Sequence, residues 1–375
     1  MKMKFLLIIL SYISFTIAAT LTCNKVKNKV CSSCTDKNYE CKTDEKGNIT
    51  SLLIKNQDFS NGIPDIIFSI TTLKDLYLNK NSINTLPKKI VNLKKLRRLD
   101  IRSNKLTALP KEIGNLSKLK YLKLSNNKLS ALPSTIGNLK SLFLLYVSNN
   151  VLTSVPSSIG NLTDLEELLL RTNQIQTYPK TIGNLSNLRI LDLARNPIKS
   201  LPVQIGKLKN LKELSLTDDH LKSVPAEIGN LTNLEILDLE SNVLSFIPEE
   251  FGNLKNLKVL WLDMNQLEYV PEFIVNFNNL ERLDIHANKL TFAPEFIGRI
   301  KSLKILDLGQ NQIRNIHFKF DRLVNLELLD LGWNYLETYP EEAGKLKNLK
   351  TLFLNNNSFT TPLPDSLKGI ETVYV

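Results

Sequence analysis

Residues 96–118 read LRRLDIRSNKLTALPKEIGNLSK, and closely similar wording begins again at Leu119 with no residue gained or lost. Leu96, Leu99, Ile101 and Leu106 are apolar, while Arg98, Asp100 and Arg102 alternate with them. That is the period of a strand with one dry face and one wet face. Asn104 interrupts the apolar set, and Leu109-Pro110-x-x-Ile113-Gly114-x-Leu116 closes the unit. Working outward, twelve units of 23 residues run without insertion from Leu73 to Asn348. A looser unit precedes them from Ile49, and another begins at Leu349. One unit cannot bury its apolar side alone, so a fixed period of this length predicts a solenoid of stacked coils. At a strand spacing of roughly 4.8 Å, about 14 coils give a face roughly 65 Å long.

The wording Leu-x-x-Leu-x-Leu-x-x-Asn-x-Leu, followed by Leu-Pro-x-x-Ile-Gly-Asn-Leu, resembles the leucine-rich repeat proteins. The second half is similar to that of plant and microbial members and of Ras-binding intracellular members. The resemblance covers residues 49–375 and implies an α/β-type repeat solenoid, a horseshoe with a parallel sheet on its concave face. It implies that Asn104, Asn127, Asn150, Asn173 and Asn196 form a ladder. Such an amide both donates to and accepts from buried turn backbone. The prolines suit an extended return segment, and Gly114 with its counterparts is expected at a tight turn of positive φ. The resemblance names no partner, because such proteins bind very different ligands.

Residues 1–20 read as a secretory signal peptide, with Lys2 and Lys4 before the apolar run Phe5–Ile17 and then Ala18-Ala19. A short membrane anchor is the alternative; no later segment is apolar enough to span a bilayer, so no membrane span is expected after cleavage. Residues 21–48 hold all four cysteines, Cys23, Cys31, Cys34 and Cys41, and read as a disulfide-bonded cap before the solenoid of 49–375. Four cysteines allow three pairings, and a zinc site is the other use of such a cluster. Ile370-x-x-Val373-x-Val375 restarts the strand pattern as a terminal strand. Sequons stand at Asn48, Asn115, Asn161, Asn184, Asn230 and Asn356. In a eukaryotic secretory pathway, glycans on the repeat-derived ones would coat the outer face.

The chain carries a formal charge of +11, which invites a polyanion or nucleic-acid reading. The outward strand positions are instead split: basic up to Asn187, and acidic beyond it, with nine carboxylates against three cations. Much of the surplus lies in second-position lysines at the edges. Nucleic acid is therefore not expected as a partner. In the acidic half, register places Asp238, Trp261 and Asp284 in one row and Glu240, Asp263 and His286 in the next. Asp307 and Asp330 continue the first row, Gly309 and Gly332 leave open floor beside them, and Trp333 and Tyr335 rim the exit loops. Neighbouring carboxylates repel one another, so this face favours a cationic guest, with Trp261 offering area and a ring face. The plainer reading is that aspartate is simply habitual in Leu-Asp-Leu strands. A second aromatic group, Tyr77, Tyr121, Phe143 and Tyr146, serves a separate contact or packs along the sheet.

Two units depart from the pattern. Asp219 replaces the ladder asparagine in Thr217-Asp218-Asp219-His220, so this turn is expected to be reshaped, and a metal there is the sharper alternative. His317 replaces the expected proline. Catalysis is not expected. Asp263 and His286 have no hydroxyl nucleophile beside them, and the carboxylate pairs lie on an open sheet. The phosphate-binding Gly-x-x-x-x-Gly-Lys-Ser/Thr motif is absent, and no cofactor is implied. The leading expectation is a secreted or cell-surface recognition protein that binds a protein or peptide on its concave face, for instance as an inhibitor or receptor-like module. The alternatives are a structural or adhesion protein gripping anionic cell-wall polysaccharide, and an intracellular adaptor for Ras-type signalling.

Overall fold

The computed structural model describes residues 21–375 apart from Ser32 and His317. The leader reading of 1–20 and the departure at His317 lie outside the described residues. Among the described residues, sixteen strands form one open, curved sheet in chain order. The first, β1 (Tyr39–Thr43), pairs antiparallel with β2 (Ile49–Ile54), and every later pair is parallel. Register advances by one repeat per strand: Arg98 lies beside Tyr121, and Arg282 beside Ile305. The terminal strand β16 (Thr372–Tyr374) pairs as its pattern predicts. Leu99, Ile101, Leu106 and Ile113, like their counterparts in the twelve full coils, are buried in one continuous core. A solenoid grows by lengthening this core, and so escapes the size limit of a globule.

The return half of each coil is a 3₁₀ turn, such as Lys111–Asn115, entered from an extended Pro110. Proline fits there because the first turn of a helix leaves its N–H without an intrahelical partner. The glycine that follows does not do what the sequence suggested. Among the described glycines only Gly47 and Gly62 have positive φ, and Gly114 is not one of them. The left-handed residues stand instead at the strand exit of every coil, among them Ser103, Asn126, Asn149 and Thr172, with φ between 55 and 59°. Gly114 is needed for closeness: a Cβ there would sit 2.3 Å from the Thr135 carbonyl oxygen of the next coil.

The asparagine ladder forms. Asn173 Nδ2 donates to the carbonyls of Val147 (3.1 Å) and Leu170 (2.8 Å), while its Oδ1 accepts from the Leu152 amide at 3.0 Å. Replacing Asn173 by Ala orphans the buried Leu152 amide and leaves the Val147 and Leu170 carbonyls only their bonds from Asn150 and Asn196, and we expect a loss of about 2 kcal/mol, read from the urea midpoint. A second, exposed ladder runs along the opposite edge, where Asn187, Asn210 and Asn233 donate to the carbonyls of Thr163, Ser186 and Lys209. Beside it the second-position charges alternate in sign. Lys212 and Lys258 both pair with Glu235 (2.6 and 2.7 Å), Lys304 with Glu281 (2.8 Å) and Lys350 with Glu327 (2.7 Å). The edge lysines of the C-terminal half are thus largely neutralised, which the sum of charges did not reveal.

At the other end, helix α1 (Cys23–Val30) lays Val26 and Val30 on the first coil. Of the three possible pairings, Cys23 bonds Cys41 and Cys31 bonds Cys34. All four sulfurs are consumed, which leaves no thiolate for zinc. Tyr39 donates its hydroxyl to the Cys23 carbonyl at 2.8 Å and ties helix to strand.

Candidate functional site

The fifth strand position forms a row: Asp238, Trp261, Asp284, Asp307 and Asp330 lie side by side on successive strands. The structure gives the recurring aspartate a local purpose. Each accepts the backbone N–H two residues on, as Asp238 does from Glu240 (3.1 Å), Asp307 from Gly309 (2.9 Å) and Asp330 from Gly332 (2.8 Å). This bond holds the strand exit in its left-handed turn, so one oxygen of every such aspartate is structural. The habit of the Leu-Asp-Leu strand has a physical cause.

What remains for a ligand is the second oxygen, and here the residues diverge. Asp238 Oδ2 accepts from Ser215 (3.2 Å) and Thr217 (2.5 Å). Asp284 is only 6% exposed, and its Oδ2 takes a guanidinium N–H from Arg282 at 3.0 Å. It supports the floor of the face rather than presenting itself to a ligand, contrary to the sequence reading. Trp261 is half-buried, and the Arg282 guanidinium lies 5.9 Å from its ring centroid. Its ring is therefore already matched to a cation of the protein itself. Asp263, Asp307 Oδ2 and Asp330 Oδ2 keep acceptor capacity without a protein donor among the described residues. Glu240 borders them, half-exposed.

Gly309 and Gly332 were expected to leave open floor, and they do not. A Cβ on Gly309 would meet Asp330 Oδ1 and His286 Nδ1, each at 2.9 Å, and Asp307 Oδ1 at 3.2 Å. The missing side chain is filled by its neighbours leaning inward. His286 Nδ1 lies 3.5 Å from Asp307 Oδ1, and its Nε2 donates to Gln310 Oε1 at 3.0 Å. Hydrogen bonding and charge from Asp307 raise the imidazole to about 9, against the opposing effect of burial. The acids shift the same way for a different reason. Burial first, then the neighbouring Asp284 and Glu240, raises Asp263 to about 7. Burial and Asp307 raise Asp330 to about 6, and burial and Asp307 also raise Asp284. The face is short of positive charge, with His286 and Arg282 the cations embedded in it.

Trp333 and Tyr335 are exposed on the exit rim as expected, and Arg314 stands 5.6 Å from the Tyr335 ring. The basic half is more self-contained than its composition suggested. Arg102 grips Asp100 at 2.8 Å, Arg98 reaches Tyr77 Oη (3.0 Å) and covers Tyr121 (4.6 Å), and Tyr146 donates to Glu167 at 2.5 Å. Its aromatics pack along the sheet. Asp219 turns into the core while His220 is exposed, so the two do not converge on a common ion. The repeat-derived sequons Asn115, Asn161, Asn184 and Asn230 are exposed at the ends of the 3₁₀ turns, away from the strands.

Sequence reasoning missed a feature of the flank beyond the exit rim. Phe246, Tyr269 and Phe292 stand at the same position of three consecutive coils and are 46, 52 and 43% exposed. The other coils carry Thr85, Ala108, Ala131, Ser154, Thr177, Ser200, Ser223, Asn315 and Thr338 there. Comparing positions column by column, rather than unit by unit, finds it.

Models of the leucine-rich repeat region match residues 88–177 and 168–242, and models of the leucine-rich repeat match 47–106, 278–336, 233–254 and 348–370. Among solved structures, a leucine-rich repeat protein of Leptospira interrogans is 36% identical, over 82% of this chain and 85% of that one, with a TM-score of 0.72. The Arabidopsis receptor kinase HAESA, solved with the peptide hormone IDA and the co-receptor SERK1, is 31% identical over 89% of this chain, which spans 59% of it (TM-score 0.73). An internalin of Listeria monocytogenes is 27% identical over 86% of each chain (TM-score 0.67). No curated protein matches the chain.

Proposed function

From its membership of the leucine-rich repeat family, we propose that this chain is an exported recognition protein that binds a cationic stretch of a protein or peptide along the C-terminal half of its concave sheet. The observation that carries the reading is the set Asp263, Asp307 and Asp330. Their outward oxygens have no protein donor among the described residues, and burial together with the neighbouring acids holds two of them well above the usual carboxylate range. A lysine or arginine laid across them would offset both the burial and the mutual repulsion of these acids, with Trp333 and Tyr335 as contact area on the rim. The peptide-bound HAESA structure supports a protein or peptide as the guest, and the two disulfides support an oxidising compartment over an intracellular adaptor.

Selection from a displayed random-peptide library tests it. Enriched peptides should carry Lys or Arg, and a variant with Asp307→Asn and Asp330→Asn should bind them at least about tenfold more weakly, equivalent to about 1.4 kcal/mol. Affinity should also rise between about pH 5 and pH 8, because Asp330 and Asp263 gain their charge near 6 and 7. Enrichment of acidic or purely apolar peptides, or affinity that falls as pH rises, would sink the proposal.

A second reading rests on a separate feature. Lys74, Arg97 and Lys120 occupy the edge position in the first coils and form no ion pair among the described residues, unlike the zipper farther along. An anionic wall polysaccharide gripped there would be released by moderate salt and would be indifferent to Asp307 and Asp330.

A further inference from the structure

The convex flank of three coils is built unlike the rest of the solenoid. In the units that start at Leu234, Leu257 and Leu280, the sequence repeats an aromatic, one apolar residue, Pro and Glu: Phe246-Ile247-Pro248-Glu249, Tyr269-Val270-Pro271-Glu272 and Phe292-Ala293-Pro294-Glu295. One place further on, where most other coils are polar, two of the three carry Phe273 and Phe296. The spacing glycine is also lost in the middle unit, where Val275 takes its place. A Cβ added at Gly252 would meet Phe273 Cβ at 3.0 Å, with no backbone oxygen among its nearest atoms. At Gly229 the carbonyl of Glu250 lies 2.1 Å from the corresponding point. The coils part on their outer side and leave a trough of about 700 Å³, lined by Tyr269, Phe273, Phe292 and Phe296, with Glu249 and Glu272 at its border.

We propose that this trough is a second docking surface, separate from the concave face, and that it takes a segment of a partner protein in which apolar and basic side chains alternate. The apolar requirement follows from exposed aromatics on three adjacent coils, a concentration that monomeric surfaces rarely keep without a use. Charge sets the rest. The lining of the trough includes Glu249 and Glu272 and no lysine or arginine; Arg299 stands 3.9 Å from Glu272 and, with Lys319 and Arg322, shares the next hollow with Glu295. Aromatic faces beside surplus carboxylates suit the cation of Lys or Arg on a short apolar stretch. A neutral polysaccharide would use the rings but gain little from the carboxylates.

The repeat itself supplies substitutions that respect the fold, because Ser154, Ser200 and Ser223 hold the same place in other coils. The test is run in the full chain carrying Asp307→Asn and Asp330→Asn, which disables the concave face, and compares it with the same chain also carrying Phe246→Ser, Tyr269→Ser and Phe292→Ser, using a fluorescent peptide of alternating Arg and Leu, a peptide of alternating Glu and Leu, and a soluble neutral β-glucan. The expected result is binding of the Arg–Leu peptide only, lost at least tenfold in the serine variant and in Glu272→Gln with Glu295→Gln. Because every protein compared lacks the concave carboxylates, the loss reports this surface and not the concave one. Equal binding by the serine variant would overturn the proposal. So would binding of the β-glucan in place of the peptide, or a concentration-dependent dimer of the wild type that the serine variant abolishes.

Discussion

Asp219→Asn is expected to raise the thermal midpoint of this protein by several degrees, and by more near pH 9 than near pH 5. Asp219 occupies an asparagine position of the buried ladder and is wholly inaccessible. Its Oδ1 accepts from the Asn196 amide at 2.7 Å, but Oδ2 is buried with no partner among the described residues. Elsewhere in the ladder an amide nitrogen donates at that place to two carbonyls, as Asn242 does to those of Leu216 and Leu239. A carboxylate oxygen has nothing to donate, so the ionised form is left without compensation. The Ile198 amide, which would ordinarily meet the ladder side chain, turns to the Asn196 carbonyl at 2.8 Å instead. This is the reshaped turn that the substitution implied.

The sign of the pH dependence follows. Burial pushes Asp219 up to about 8, with Asp218, Asp192 and Asp238 adding to it, while the unfolded chain titrates near 3.9. Below about pH 4 both states hold the proton and the penalty vanishes. As pH rises from there to about 8, the unfolded chain gives up its proton and the folded chain keeps it, so stability falls. At about 1.4 kcal/mol per unit, the ceiling is on the order of 5 kcal/mol. Asparagine abolishes the titration and restores the donor. Thermal melts of both proteins across this range, followed by circular dichroism, decide the matter through the difference between them. A difference that shrinks with rising pH, or a less stable variant, would show that the ladder tolerates the acid. Tyr178 bears on the same region. Its buried hydroxyl also lacks a partner among the described residues, and burial, then Asp219 and Asp192, raise it well above the ordinary phenol value.

The second large effect is expected from Gly160→Ala. The added Cβ would lie 2.2 Å from the Thr181 carbonyl oxygen and 2.7 Å from Thr181 Cβ, on a coil fixed by its own core leucines. Overpacking against backbone costs about 3 kcal/mol where neighbours cannot yield, and we expect the denaturant midpoint to fall accordingly. Gly369→Ala is the control, since nothing lies within 4 Å of it and its φ is not positive. Gly309→Ala marks the contrast, because the atoms it meets are the ends of Asp330 and His286, which can swing aside. It should disturb peptide binding more than stability. A Gly160→Ala protein as stable as the control would mean that coils part there as easily as they do around Val275.

The strand pattern, the ladder and the register were legible because each rests on local periodicity repeated without interruption. Leu99 and Ile101 are buried and Asp238 stands beside Trp261 for the same reason: 23 residues bring every side chain back to the same place one coil later. The candidate site was legible as rows and illegible as chemistry. That Asp284 is covered by Arg282, that Trp261 already has a cation near its ring, and that Gly309 is overlaid by its neighbours depend on rotamers chosen between coils. The role of Gly114 failed for a related reason. A glycine reads the same whether it serves a left-handed turn or a close approach, and only the next coil distinguishes them.

By itself the sequence determined the solenoid, its direction, the faces of its coils and the grouping of its cysteines, because repetition converts a local preference into a global one. The tertiary structure alone decided which acids keep a free oxygen, which cysteines join, and where coils separate to open a trough. Those outcomes turn on distances between side chains far apart in the chain, set by how neighbouring coils lean on one another, and no period in the sequence encodes that lean.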